Sequence, residues 1–261
     1  MSAAPTPGTL YLVPTPLDHG CPLQAPLTDA LPQGTIEVAA RLSHWISENA
    51  RSTRAFLKRV AALVPLAQPL QAQHIQQLPH AIHKQGDHRR AGTWDARPLL
   101  APALQGHDLG LVSEAGMPAV ADPGSSVVRA AHDLGIEVRP LVGPVSMLLA
   151  LAASGLNGQS FAFVGYLPQE ASRRATRLRE LEAWAQQSGQ SQLFIETPYR
   201  NAALLQALLQ QLRPDTRLAV CSGLTLAQQR CTSLRVADWR LRSAALTADL
   251  SAQPAVFAIG P

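Results

Sequence analysis

Apolar positions along this chain recur in two rhythms. Short runs, "TLYLV" (9–13), "LGLV" (109–112), "FAFVGY" (161–166), "QLFIE" (192–196), "RLAVCS" (217–222) and "AVFAIG" (255–260), have the length and residue types of buried strands. Longer stretches between them repeat every three or four residues, as helices do. "TIEVAARL" (35–42) is helix-like and leads into "SHWIS" (43–47), another strand. "ARSTRAFLKRVAAL" (50–63) predicts an amphipathic helix with Phe56, Leu57, Val60, Ala61 and Leu63 as its apolar stripe. The segment from Pro65 to Gln105, rich in Gln, His, Pro and Ala, reads as loops, with one strand near Gln71–His74 and a helix after Arg97.

The pattern sharpens at "LGLV". The loop "SEAGMPAVADPG" (113–124) follows, then a helix over "SSVVRAAHDLG" (125–135), with Asp122 and Pro123 suited to its N-cap and first turn and Gly135 to its C′ position. "IEVRPLV" (136–142) is the next strand, and "VSMLLALAASG" (145–155) an apolar helix closed by Gly155. Strand, helix and strand in so few residues make a βαβ unit, hence a parallel sheet with both faces covered. A basic helix (Ala171 to Gln187) and a helix from Asn201 to Leu212 organise the second half. The fold class is α/β in two lobes, 1–142 and 143–261.

Composition narrows the classes. An apolar share of 46% over 261 residues is ample for buried cores, and 15% charged residues exclude a coiled coil or a disordered chain. The net charge of +4 permits an acidic partner without demanding one. Cys21, Cys221 and Cys231 share no metal spacing and leave one unpaired, which suggests a reducing cytoplasm. The Ser/Ala/Pro/Thr leader lacks the basic and apolar parts of a signal peptide, and no run approaches membrane-spanning length.

Ligands of parallel sheets bind beyond the carboxyl ends of the strands. Four loops are predicted there: "PTP" (14–16), "SEAGMPAVADPG", "GPVS" (143–146) and "ETPYR" (196–200). Proline and glycine in them fix the backbone and reduce bulk, so amides and carbonyls can approach a ligand. Such loops are commonly plain turns, but four at strand ends shift that balance. Glu114 and Asp122 disfavour a pyrophosphate and suit a cationic or zwitterionic ligand carrying a ribose. GxGxxG, Walker A and HExxH patterns are all absent.

Taken in order, "GTLYLVPTPL", "ISENARST", "GLVSEAGMPAVADPG", "EVRPLVGPVSMLLALAASGL", "FAFVGYLP" and "FIETPYR" resemble the tetrapyrrole methylase superfamily. Within it, the likeness is strongest to the branch that 2′-O-methylates a cytidine of bacterial small-subunit ribosomal RNA. The resemblance implies a parallel sheet in the first lobe, a mixed sheet in the second, S-adenosylmethionine in the cleft between them, and a homodimer. Carried over by position, Pro14, Thr15, Ser113, Glu114, Ala115, Gly116, Pro118, Asp122, Gly143 and Pro144 would line the cofactor side, with Glu196 facing it from the second lobe.

The departures fall on the acceptor side. Where that branch has Ala-Glu-Asp-Thr-Arg, this chain has "SENAR": Glu48 and Arg51 remain and Asn49 replaces the aspartate. A His-Asp-His-Asn-like segment is reduced to the isolated histidines of "QAQHIQQLPH", and a helical C-terminal extension is missing, as in a shorter paralogue. Glu48 is the first candidate for the base that takes a hydroxyl proton, with Arg51 orienting it or meeting phosphate. The bland alternative is a capping or surface pair.

Arg173, Arg174, Arg177 and Arg179, with Arg89 and Arg90, could neutralise RNA phosphates; Arg177–Glu180 and Arg179–Glu182 pairs would instead mark a solvated helix. His74, His80, His83 and His88 read as surface residues without a metal set, and Cys221, Trp45 and Trp184 as packing residues. Ribosomal RNA is the expected acceptor. The rivals are a small-molecule methyltransferase and a cofactor-binding protein that has lost catalysis.

Overall fold

The computed structural model describes residues 6–21, 23–79, 94–246, 250 and 253–261. His80, His83, His88, Arg89 and Arg90 therefore lie outside the described residues. The chain divides into two compact units, Met1–Val145 and Ser146–Pro261.

In the first unit, strands β1 (Leu10–Leu12), β2 (His44–Ser47), β3 (His74–Gln77), β4 (Leu109–Val112) and β5 (Val138–Pro140) form one sheet in the order β3-β2-β4-β1-β5. Every pairing is parallel, as expected. Alternation along each strand feeds two layers. Tyr11, Val13, Trp45 and Val112 pack with helices α1 (Gln33–Arg41) and α2 (Ala50–Ala61). Leu10, Ile46, Leu109 and Leu111 pack on the other face with short α3 (Ala101–Leu104) and α4 (Ser125–Asp133). Trp45 is fully buried, and its Nε1 donates to Gln73 Oε1 at 2.8 Å. Its ring lies across Gly110, its register partner, where a Cβ would come within 2.4 Å of the indole.

Several local expectations change. The buried stripe of α2 is Thr53, Phe56, Leu57 and Val60; Ala61 and Leu63 are exposed because the helix ends at Ala61. Thr53 replaces them because its hydroxyl meets Ser47 Oγ at 2.5 Å. The helix after Arg97 begins as a 3-10 turn, Arg97–Leu100, before α3. Gly124, at φ 137°, and not Asp122, is the N-cap of α4, whereas Gly135 has the expected left-handed geometry.

In the second unit, β6 (Phe161–Tyr166), β7 (Ser191–Glu196), β8 (Arg217–Ser222), β9 (Arg230–Arg235) and β10 (Ala255–Gly260) form a mixed sheet in the order β6-β7-β10-β8-β9. β6 and β7 are parallel, while β10 runs antiparallel to β7 and β8. Phe194, Val220 and Phe257 meet α6 (Ala171–Ser188), α7 (Asn201–Gln211) and α8 (Val236–Leu246) in one core. α5 (Ser146–Ser154) packs against β8, β9 and β10. β9 and α8 have no clear counterpart in the hydrophobic pattern, because β9 is a half-exposed edge strand of mostly polar residues.

Trp184 is not a packing residue: it is 53% exposed, with Nε1 donating to Gln190 Oε1. The Arg179–Glu182 pair does not form. Glu182 is buried and accepts from the Arg213 amide at 2.8 Å and from Thr216 Oγ1 at 2.5 Å. Arg177 and Glu180 do pair, at 3.1 Å.

Candidate functional site

β1 and β4 are neighbours, but β1 leads into α1 on one face of its sheet and β4 leads toward α4 on the other. Loops that leave adjacent strands in opposite directions open a crevice between them. The predicted loops of the first unit meet there. Thr15 and Gly116 exchange two backbone hydrogen bonds of 3.0 Å, and buried Thr15 Oγ1 lies 3.4 Å from the Ser113 carbonyl. Pro14 packs so closely on Gly143 that a Cβ there would lie 2.3 Å from Pro14 Cγ. A Cβ on Gly116, at φ +79°, would come to 3.5 Å from the Pro144 carbonyl oxygen. Thr35 Oγ1, on α1, holds the Val142 carbonyl at 2.8 Å. Pro14, Thr15, Gly116, Gly143 and Pro144 are thus brought together; the Pro14 ring leaves no room for a side chain at Gly143, and positive φ favours glycine at 116.

The loop after β4 is bent beyond what its glycines account for. Ala119 and Ala121 adopt φ of 63° and 65°, at a cost on the order of 1–2 kcal/mol each. They flank Val120, between buried Pro118 and Asp122. Strain next to a half-buried acid is a pattern of binding sites rather than of simple turns.

Three carboxylates gather at this end. Glu48, just after β2, donates its amide to the Val112 carbonyl and accepts from the Glu114 amide through Oε2 at 3.2 Å. The Asp122 carboxyl is pushed up to about 7, chiefly by burial, then by the charges of Glu48 and Glu114, with the Ser113 hydroxyl opposing. Such a group exchanges its proton near neutrality. Ser113 is buried, and Glu114 and Ala115 are half-buried beside it. Arg51 is exposed, and its amide donates to Asn49 Oδ1 at 2.9 Å. Asn49 is the N-cap of α2, a task that Asn and Asp perform equally well.

The sequence alone did not single out the pocket beside these acids, of about 40 Å³, lined by Thr15, Asp18, His19, Gln24, Arg59 and Glu114 among others. Asp18 is buried and paired with Arg59 at 3.0 Å, while His19 Nε2 lies 3.5 Å from Glu114. Asp18 and Arg59 are 41 positions apart, so no local motif announces the pair. Among the described residues no cluster of three or more His, Cys, Asp or Glu side chains is arranged to hold a metal ion. No helix among them is long and apolar enough to cross a membrane.

The family model for Tetrapyrrole (Corrin/Porphyrin) Methylases matches residues 44–238. The chain belongs to that methylase family. It is 34% identical over 224 residues to "Ribosomal RNA small subunit methyltransferase I" of Mesorhizobium japonicum, covering 85% of this chain and 66% of the relative. The protein of the same name from Micromonospora olivasterospora is 35% identical over 221 residues, covering 84% of this chain and 60% of the relative. The chain thus spans about two thirds of the length of these relatives. The uroporphyrin-III-C-methyltransferase of Thermus thermophilus shares the fold, with a TM-score of 0.52 at 19% identity, over 97% of this chain and 94% of that one.

Two further features of this methylase lie in the second unit. Glu196, at the end of β7, is buried and accepts from the Thr197 amide (2.7 Å) and from Arg200 Nε and Nη2 (3.0 and 2.8 Å). Its carboxylate therefore has a local task, fixing the turn of "ETPYR". On α6, Arg173 and Arg177 with Ser172 and Thr176 line an open groove of about 340 Å³. Arg177 pairs with Glu180 and Arg174 Nη1 donates to the Gln169 carbonyl; Arg173 and Arg179 are exposed, with Arg179 Nη2 3.5 Å from Thr176 Oγ1.

Proposed function

We propose that this methylase uses S-adenosylmethionine to 2′-O-methylate a ribose of small-subunit ribosomal RNA, as a cytoplasmic homodimer. The observation that carries this reading is the acidic trio at the crevice of the parallel sheet, with one member held near neutrality. The donor set fits the cofactor: carboxylates accept from ribose hydroxyls and ammonium groups. Glu114 and Asp122 would serve there, with Ser113, Ala115 and Pro118 shaping the loop and Pro14, Thr15, Gly116, Gly143 and Pro144 presenting backbone. When bound, the cofactor supplies a methyl group on a positively charged sulfur. Glu196 would act through Arg200, by holding its loop.

Transfer to a hydroxyl needs in-line positioning and a group to take the proton. Glu48 and Asp122 are the two candidates. Asp122 is the better matched, since its proton equilibrates at working pH, raised there by burial and then by the neighbouring Glu48 and Glu114. Asn49 does not weaken this reading, because capping α2 asks for either residue type. Arg51, Arg173 and Arg179 would meet phosphate.

The test is calorimetric titration with S-adenosylmethionine, followed by transfer of labelled methyl to small-subunit ribosomal RNA with mapping of the modified ribose. Micromolar binding, lost in Pro14→Trp, and label on a 2′ oxygen are expected. Replacing Arg173 and Arg179 by Gln should reduce the salt slope of RNA binding by about 2. Binding without transfer to RNA, with transfer to a tetrapyrrole instead, would make the chain a small-molecule methylase. Absence of cofactor binding would sink the reading.

A further inference from the structure

Cys221 and Cys231 are 10 positions apart and directly opposite each other on antiparallel β8 and β9. Opposed residues of an antiparallel pair put both side chains on one face, with Cα atoms about 4.5–5.5 Å apart, inside the range that a disulfide spans. The Cys231 thiol stands near enough to help raise the Cys221 thiol. They differ sharply in access: Cys221 is 1% exposed, with Sγ 3.8 Å from the Ala150 carbonyl of α5, whereas Cys231 is exposed. β9 is an edge strand, paired on one side only, so no further strand restrains it.

We infer that Cys221 and Cys231 form a dithiol site at which hydroperoxides close a cross-strand disulfide, with Cys231 as the attacking sulfur and Cys221 as the resolving one. In the first step Cys231 sulfur attacks the terminal peroxide oxygen. The O–O bond breaks, Cys231 becomes a sulfenic acid, and the peroxide leaves as water or an alcohol. In the second step the Cys221 sulfur attacks the Cys231 sulfur. The S–O bond breaks and hydroxide leaves as water with the Cys221 proton. Two electrons pass from the thiols to one peroxide, in balance. Burial, followed by the neighbouring Cys231, pushes the Cys221 thiol up to about 12. Cys221 therefore stays protonated, and Cys231, the exposed thiol, is suited to react first.

The experiment treats the full chain with a small excess of hydrogen peroxide and maps its peptides without reduction. Cys21, in the other unit, serves as the internal reference thiol. The mass should fall by about 2 Da, with a Cys221–Cys231 linked peptide and Cys21 still open to alkylation. Cys231→Ser should abolish that loss. If this variant fails to fold, phenylarsine oxide supplies the same control. Two adjacent thiols hold one arsenic per chain with release of water, and chains so bridged should no longer lose 2 Da on oxidation. Oxygen adducts accumulating on Cys231 beside a free Cys221, or a link between the Cys231 residues of two chains, would overturn the inference.

Discussion

The two ends of the first sheet hold ionisable groups of opposite kind. At the carboxyl ends of β2 and β4 stand Glu48, Glu114 and Asp122. At the amino ends, His44 stacks between His74 and His107, with ring centroids 4.8 and 4.6 Å apart. Burial is the first cause of the shift at both ends, and neighbouring like charge adds to it. It pushes the Asp122 carboxyl up and the His44 imidazole down, the latter with help from His107 and His74. Both ends thus favour neutral forms. They differ in what surrounds them. His44 and His74 begin β2 and β3 and are paired in register, and His107 lies two residues before β4. The acids lie beside two alanines in left-handed geometry. A neutral ring stack closes a sheet; strained, mutually repelling acids cost stability that a bound cation or hydroxyl can offset. The second arrangement is the one that points to a ligand.

The sharpest way to break the acidic end is Gly143→Ala. Its Cβ would meet the Pro14 ring at 2.3 Å, costing about 3 kcal/mol of stability and cofactor affinity together. Denaturant titration alongside calorimetry checks both, and an unchanged affinity would separate the loop contact from binding.

Asp122→Asn is next. Methyl transfer should fall by about 10²–10⁴-fold. Stability should change in the opposite sense. The folded-state value is raised, so the contribution of Asp122 is fully present below its unfolded value of 3.8 and lost as pH rises through about 7. The Asn variant should therefore exceed the parent at pH 8 by about 2 kcal/mol, discounted for partial exposure, and match it in strong acid.

The smallest effect belongs to the other end. The folded-state value of His44 is lowered, so its contribution is present above the ordinary histidine value of 6.5 and lost as pH falls below it. His44→Gln should flatten the decline in denaturation midpoint on acidification without altering turnover. A change in turnover would erase the distinction between the two ends.

Much of this was legible in the chain. Apolar runs fell on the strands wherever both faces are covered, because burial on both sides demands continuous hydrophobicity. β9, with one edge open to solvent, was under no such demand and went unread. The loops "PTP", "SEAGMPAVADPG" and "GPVS" were legible as ligand loops because glycine and proline mark backbone that must approach something closely. What they approach was not: Pro14 on Gly143 and Thr15 on Gly116 are contacts between distant segments. Likewise the sequence offered Asp122 both as a helix cap and as a ligand carboxylate, and tertiary structure made Gly124 the cap and set Glu48 and Glu114 beside Asp122. Sequence by itself determined the α/β class, the strand runs and the residue types at the loops, since period and turn chemistry are local. Tertiary structure alone decided the strand order β3-β2-β4-β1-β5 and the charge on Asp122. Both depend on which distant segments meet, and on how much water their meeting excludes.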